Sequence, residues 1–326
     1  MTARRATGDR FRALTALLLA AWIAGACGPA GGGGPSSVPS SRASAYPGWP
    51  GSGEAVGTGD LVPVLVSSEI AVGKNRFLFT LVDAQNHLLA APNVATSVAF
   101  YDLGKNPDFP VGHADGRFLW SIEGERGLYA TTADFSRPGD WGAEVTAEER
   151  GKPDRSARVV FSVEATTGTP AIGTAAPPSR TPTATDPQGI AAISTDPKPD
   201  PDFYRLSIDR AVRSGHPTLI VFATPLFCRS QTCGPTLDTV KAIAGGYRKD
   251  LNLVHVEPYQ LRFLDGQHVP VLDSAGNLQT VPALREWGLP SEPYVFLVDR
   301  NGLVSAKFEG VVGKDELVAA IKAVLR

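Results

Sequence analysis

The sequence predicts two folded domains of different class: an all-β antiparallel sandwich over residues 61–165 and an α/β domain over residues 203–326. Three observations predict this. Between Leu61 and Ala165, seven short segments rich in Val, Phe, Thr and Tyr are separated by Gly, Asn and Asp turns. From Phe203 onward, helical periods interleave with continuous apolar runs of the kind a doubly covered strand carries. The many Gly and Pro residues gather in the segments that flank these stretches, and 326 residues are enough for two separate cores.

The first 26 residues read as a signal segment. Arg4, Arg5, Arg10 and Arg12 precede the apolar run "ALTALLLAAWIAGAC", which is too short for a comfortable span of about 20 residues and ends in small residues. The ending "IAGAC" resembles a bacterial lipobox, with Ala24 where Leu is commoner, and that resemblance implies lipidation of Cys27. Such a chain is anchored by its lipid on the extracytoplasmic face of a cell membrane, or works in the periplasm, where disulfides persist. Cleavage after Ala26 by an ordinary signal peptidase, or an uncleaved anchor, are the alternatives. Removing these residues, four Arg and one Asp among them, takes the formal charge from −2 to −5. No basic excess exists to hold phosphates, so nucleic acid is excluded as a partner class.

Residues 27–60, mostly Gly, Pro and Ser, read as a disordered tether. The sandwich follows. In "RFLFTLVD", Phe77, Phe79 and Leu81 point one way and Arg76, Leu78 and Thr80 the other. About seven strands in about 100 residues is the count of an immunoglobulin-type sandwich. The stretches "AVGKNRFLFTLVDAQN" and "FSRPGDWGAEV" resemble the small immunoglobulin-like domains of bacterial envelope proteins. Residues 166–202 form a Pro/Thr-rich linker, extended and stiff, that either floats or lies along the next domain.

In the second domain, "YRLSIDRAVRSG" reads as a helix stopped by Gly215, and "PTLIVFAT" as a buried strand. "TLDTVKAIAGGYRK" is an amphipathic helix, and "LNLVHVEPY" a second buried strand. After an insertion, "LRFLDGQHVPVLDSAGNLQT", come a short helix "VPALREWG", a hairpin around "RNG" and a closing helix "KDELVAAIKAVLR".

Three stretches of this domain, "TLIVFATPLFC", "EWGLPSEPYVFLVDRNGLV" and "FEGVVGKDELVAAIKAVL", resemble the thioredoxin fold over roughly a third of the chain. The resemblance implies that Cys228, at the end of the central strand, is a nucleophilic thiol. It also makes Pro293 a cis-proline lying against the cysteines. Pro293 would then shape a groove for a client peptide; beside it, Trp287 reads as an apolar lip of that groove or as core, and Glu292 as a buried base or an exposed carboxylate. Three features depart from the family: the spacing is C-x4-C, Phe222 replaces a buried acid, and Glu292 stands where an apolar residue or Thr is usual.

If Cys27 carries lipid, Cys228 and Cys233 remain to pair with each other or with a partner protein. Exchange chemistry needs a thiolate held at low pKa, which a helix N-terminus favours, and a second thiol to resolve the mixed disulfide. Two alignments are open. In one, Cys228 attacks and Cys233 resolves, which needs no gap in the strand. In the other, "CGPT" copies the thioredoxin helix start and Cys233 attacks. The catalytic pair is Cys228 and Cys233 in both. The alternatives are a non-catalytic envelope binding module with a structural disulfide, worth only about 2 kcal/mol in so small a loop, and copper delivery of the oxidase-assembly type. That last family uses a C-x3-C pair and a distant His, for which His255 and His268 are the candidates. No metal set and no cofactor is assigned. A peroxidase motif fails, because Thr232 stands where its cysteine would be. The expected partners are envelope proteins with thiols or disulfides, and a membrane redox partner.

Overall fold

Residues 45–51, 55–57 and 60–326 are described by the computed structural model. The signal segment, Cys27 and most of the tether lie outside the described residues. Among those described, no helix is long and apolar enough to cross a membrane.

The N-terminal part is an antiparallel sheet of eight strands: β1 (Ala55–Gly57), β2 (Val62–Leu65), β3 (Gly73–Val82), β4 (Val94–Asp102), β5 (Gly112–Ile122), β6 (Arg126–Phe135), β7 (Gly139–Glu149) and β8 (Arg155–Val163). Their order, β1-β8-β7-β4-β5-β6-β3-β2, curls into a near-barrel. The seven segments expected from sequence are β2–β8, and β1 is an addition. The strand β5 joins the two halves, pairing with β4 over Gly112–Gly116 and with β6 from Arg117 onward. Gly116 sits at that changeover, where a Cβ would collide with Thr96 Oγ1. The core takes Phe77, Phe79 and Leu81 from β3, as the alternation predicts, with Tyr129, Phe135, Trp141 and Phe161. A fully buried Phe or Trp contributes about 1.5–3 kcal/mol or more in transfer free energy, so these rings dominate the stability of the sheet.

Part of the segment expected as a tether packs against the sheet. Trp49 lies edge-on to Tyr101 at 4.8 Å between centroids, under the Arg158 guanidinium at 4.8 Å, and its Nε1 donates to the Pro107 carbonyl at 3.0 Å. Its ring rests on Gly142, where any side chain would collide with it. One aromatic residue in a Gly/Pro-rich stretch is enough to pin the backbone when a groove receives it.

Residues 166–202 lie along the molecule rather than floating. Thr169 accepts from Lys307 Nζ at 2.7 Å, and Ala176 N–H donates to the Gly302 carbonyl at 2.9 Å. The segment also contains a helix, α1 (Pro187–Ile193), which the composition did not announce. Its start is locally encoded: Asp186 accepts the Gly189 N–H at 2.9 Å and Pro187 occupies the first helical turn. The single helix expected from "YRLSIDRAVRSG" is instead a 3₁₀ turn (Pro201–Tyr204) and a short α2 (Ile208–Ala211). Ser207 is extended between them (ψ 156°) and starts the second piece.

The remaining elements are β9 (Thr218–Phe222), α3 (Cys233–Ala244), β10 (Asn252–Val256), β11 (Leu261–Leu264), β12 (Gln267–Pro270), α4 (Pro282–Glu286), β13 (Tyr294–Val298), β14 (Val304–Glu309) and α5 (Lys314–Val324). The expected insertion is mainly the hairpin β11–β12. A four-stranded sheet runs β10-β9-β13-β14, with β10 parallel to β9 and the others antiparallel. Every residue of β9 is buried, because both faces are covered. Leu219 and Val221 face α3 and α5, while Ile220 and Phe222 face α2 and α4. A mixed sheet of this order, with helices on both faces, resembles the thioredoxin fold.

The outward face of β3 docks the two parts together. Leu78 packs with Leu128, Ala130 and Val311. Arg76 donates to both Glu316 oxygens at 3.0 Å, and to the Glu309 and Val311 carbonyls at 3.1 and 2.7 Å. Arg117 adds an ion pair to the same Glu316 at 2.6 Å.

Candidate functional site

The strand β9 delivers the chain to Thr224–Thr232, a loop that ends where α3 begins. Cys228 lies in this loop and is partly exposed, while Cys233 is the first residue of α3 and fully buried. Both thiols are free. The backbone N–H of Cys233, one of the unpaired donors at the helix start, points at Cys228 Sγ at 3.4 Å. The Ser230 hydroxyl lies 3.2 Å from the same sulfur and 2.7 Å from Thr232 Oγ1. Gln231 adopts a positive φ of 62°, unusual for a residue with a side chain, and its N–H donates to the Cys228 carbonyl at 3.2 Å. The four intervening residues therefore fold back, and the pair closes despite the long spacing.

The electrostatics separate the two thiols. Cys228 is held down at about 5, first by the hydrogen bond from the Cys233 thiol and then by Ser230 and the backbone N–H groups of Cys233 and Thr232, which outweigh its burial. The Cys233 thiol is pushed up, because it donates to Cys228 and is buried. These contacts favour the anion on the partly exposed sulfur and the proton on the buried one.

The peptide bond between Glu292 and Pro293 is cis. Glu292 closes on the thiols: its carboxylate and the two sulfur atoms lie within 4.8 Å of one another. Burial pushes the Glu292 carboxyl up, and the Cys228 anion adds to that, while Tyr259 opposes it by donating to Oε2 at 3.0 Å. Trp287 is elsewhere. It is fully buried against Phe222 and Phe296, with centroids at 5.4 and 4.7 Å, so it lines no groove. An indole beside a Gly reads equally well as a lip or as core, and here the inner face of α4 needed filling. The exposed apolar surface next to the pair comes instead from Leu226, 58% exposed.

Four further groups around the site were not legible in the sequence. Glu257, at the end of β10, is buried and accepts the Thr195 N–H and Oγ1 at 2.9 and 2.8 Å, while its Oε1 has no hydrogen-bond partner. Burial pushes this carboxyl up to about 7. Thr195 Oγ1 also lies 3.3 Å from the Leu226 N–H, tying the linker to the cysteine loop. Tyr259 and Ser230 complete the set. Residues of these kinds at strand ends and in loops carry no spacing signal.

The histidines are engaged elsewhere. His255 is buried between the Tyr204 hydroxyl (2.8 Å to Nδ1) and the Ala223 carbonyl (2.9 Å to Nε2), and burial lowers it to about 4, so it stays neutral. His268 Nε2 lies 2.7 Å from the Ala191 carbonyl. A cleft of about 1170 Å³ lies between the two parts of the molecule and is lined by neither cysteine.

No protein-family model and no curated protein matches the chain. Among solved structures it is distantly similar to MTB dsbF, with 19% identity over 34% of this chain and 81% of that one, at a TM-score of 0.24. It is similar to the same degree to the thiol:disulfide interchange protein DsbE of Chlorobium tepidum, with 20% identity over 35% and 83% and a TM-score of 0.24. The PmoD soluble domain of Methylocystis sp. ATCC 49242 aligns with 14% identity over 32% and 90%, at 0.21.

Proposed function

We propose that this chain is a dithiol–disulfide exchange protein, held by lipid at Cys27 on the extracytoplasmic face of a membrane and acting on envelope proteins. The observation that carries the reading is the asymmetry of the pair: a partly exposed Cys228 whose sulfur meets the Cys233 N–H at 3.4 Å and the Ser230 hydroxyl at 3.2 Å, beside a fully buried Cys233. A structural staple needs no such difference between its two sulfur atoms. Cys228 Sγ attacks one sulfur of a client disulfide, forming a mixed disulfide and releasing the other client sulfur as a thiolate. Cys233 then gives up its proton and attacks Cys228 Sγ. This forms the Cys228–Cys233 bond, and the second client sulfur leaves as a thiolate. Two electrons pass from the protein to the client, and the reverse sequence oxidises a client dithiol. A membrane redox partner resets the pair.

Pro293 and Leu226 offer the client an edge and an apolar contact, and Glu292 sits where the client's sulfur arrives. The pairings β2–β3–β6–β5 and β4–β7–β8 are those of the two sheets of an immunoglobulin-type domain. They support reading the N-terminal part as immunoglobulin-like, with the task of positioning the exchange domain. The copper reading lacks its histidine, since His255 and His268 are spent on internal hydrogen bonds.

The test is a trap. Cys233→Ser cannot resolve the intermediate, so it accumulates mixed disulfides with disulfide-containing proteins, and Cys228→Ser accumulates none. Equal trapping by both variants, or none by either, refutes the proposal.

A further inference from the structure

Three donors meet at the site from three different segments: Cys228 from the loop, Cys233 from the helix start and Glu292 from the loop before β13. Among the described residues they are the single group of three thiol, imidazole or carboxylate donors at this spacing. Tetrahedral zinc binds sulfur at about 2.3 Å and carboxylate oxygen at about 2.0–2.2 Å, which sets its ligands about 3.5–3.8 Å apart. The three atoms here lie within 4.8 Å of one another, so closing on an ion takes movements of about 1 Å. The surroundings also suit an ion. Tyr259 donates to Glu292 Oε2 at 3.0 Å, the kind of outer hydrogen bond that fixes a ligating carboxylate. The Cys233 N–H and the Ser230 hydroxyl orient Cys228 Sγ in the same way.

We propose that the reduced pair, together with Glu292, forms a binding site for a zinc ion, with the fourth position open to water on the exposed side of Cys228. The donor set selects among metals. Two thiolates suit zinc or copper(I), but a hard carboxylate oxygen as third ligand favours zinc over copper(I). Binding displaces the Cys233 proton, and it excludes the disulfide, because both sulfur atoms are needed by the metal. Zinc would therefore hold the pair reduced and silent, and releasing it would restore exchange. The proposal does not depend on exchange activity, which is measured separately with a chelator present.

The experiment is anaerobic titration of the reduced full chain with Co²⁺, then displacement by Zn²⁺. The expected result is one equivalent bound, with thiolate-to-cobalt charge-transfer absorption in the near ultraviolet and the intense visible bands of a tetrahedral ion. The oxidised chain should show neither signal, Cys228→Ser should lose the charge-transfer band, and Glu292→Gln should weaken Zn²⁺ binding at least about tenfold. Circular dichroism checks that each variant is folded. The proposal is overturned if the reduced wild-type chain binds no Co²⁺ at micromolar concentration, or if the oxidised chain binds equally. It is also overturned if a folded Glu292→Gln binds Zn²⁺ as tightly as the wild type.

Discussion

Ser230→Ala tests how the site makes its thiolate. In the wild type, Cys228 sits at about 5 against an ordinary 9.0, so half of it is ionised near pH 5. A thiol of ordinary acidity is ionised there to about one part in ten thousand. Lower basicity also weakens the nucleophile, by roughly 40- to 100-fold over four units at a Brønsted slope of about 0.4–0.5. The two effects nearly cancel at pH 7, where Cys228 reacts about as fast as a free thiol. At pH 5 they leave an advantage of roughly 50- to 125-fold. The Ser230 hydroxyl, 3.2 Å from the sulfur, is one of the donors that hold the anion. A hydrogen bond to a charged group is worth about 1.5–3 kcal/mol, and partial exposure reduces that, so its loss should raise the midpoint by about one unit. The assay is alkylation of the reduced protein by iodoacetamide from pH 3.5 to 9.5, with Cys228 followed by peptide mass. A wild-type midpoint above about 8 refutes the thiolate assignment, and an unmoved midpoint in Ser230→Ala refutes the role given to that hydroxyl.

Other positions make separate predictions. Glu257 has its carboxyl raised to about 7, so its neutral form is the one the fold favours. That contribution is complete below the unfolded carboxyl pKa and is lost as pH rises through about 7. Glu257→Gln should therefore abolish a loss of about 2–3 kcal/mol between pH 4 and pH 8, read from urea unfolding at the two pH values. At Glu316, burial raises the carboxyl, but the hydrogen bonds and charge of Arg76 and the charge of Arg117 win and hold it low. This stabilisation is present above the unfolded pKa and fades as pH falls through the lower folded value. Arg76→Ala should cost about 1–3 kcal/mol at pH 7 and flatten the acid-side decline, as measured by the same unfolding curves. Trp287→Ala should cost about 3–5 kcal/mol in stability, as deletion of a core ring does, while the Cys228 alkylation rate of the folded protein stays unchanged.

Much of this molecule is legible in its sequence, because local pattern and burial agree. The alternation in "RFLFTLVD" puts Phe77, Phe79 and Leu81 into the core, and the unbroken apolar run at Thr218–Phe222 becomes a strand covered on both faces. The cis peptide bond before Pro293 is likewise the one expected from the resemblance. The unforeseen features depend on partners distant in sequence. Thr195 meets Glu257 across 62 positions, and the side chain of Arg76 meets Glu316 across 240. A Pro/Thr-rich segment looks extended whether or not hydroxyls such as Ser194 and Thr195 find buried acceptors. Trp49 looked like part of a tether because its groove, over Gly142 and beside Tyr101, is built by other strands. Glu292 stands out in the sequence as a departure from a family pattern, but its nearness to both sulfur atoms appears only when two loops and the start of α3 converge.

The most direct test of the exchange function is the reduction potential of the Cys228–Cys233 couple, obtained by equilibrating the full chain against glutathione or dithiothreitol buffers and counting free thiols. An exchange pair with a stabilised Cys228 thiolate should fall between about −120 and −270 mV. A value below about −300 mV would mark the bond as a structural staple and contradict the account.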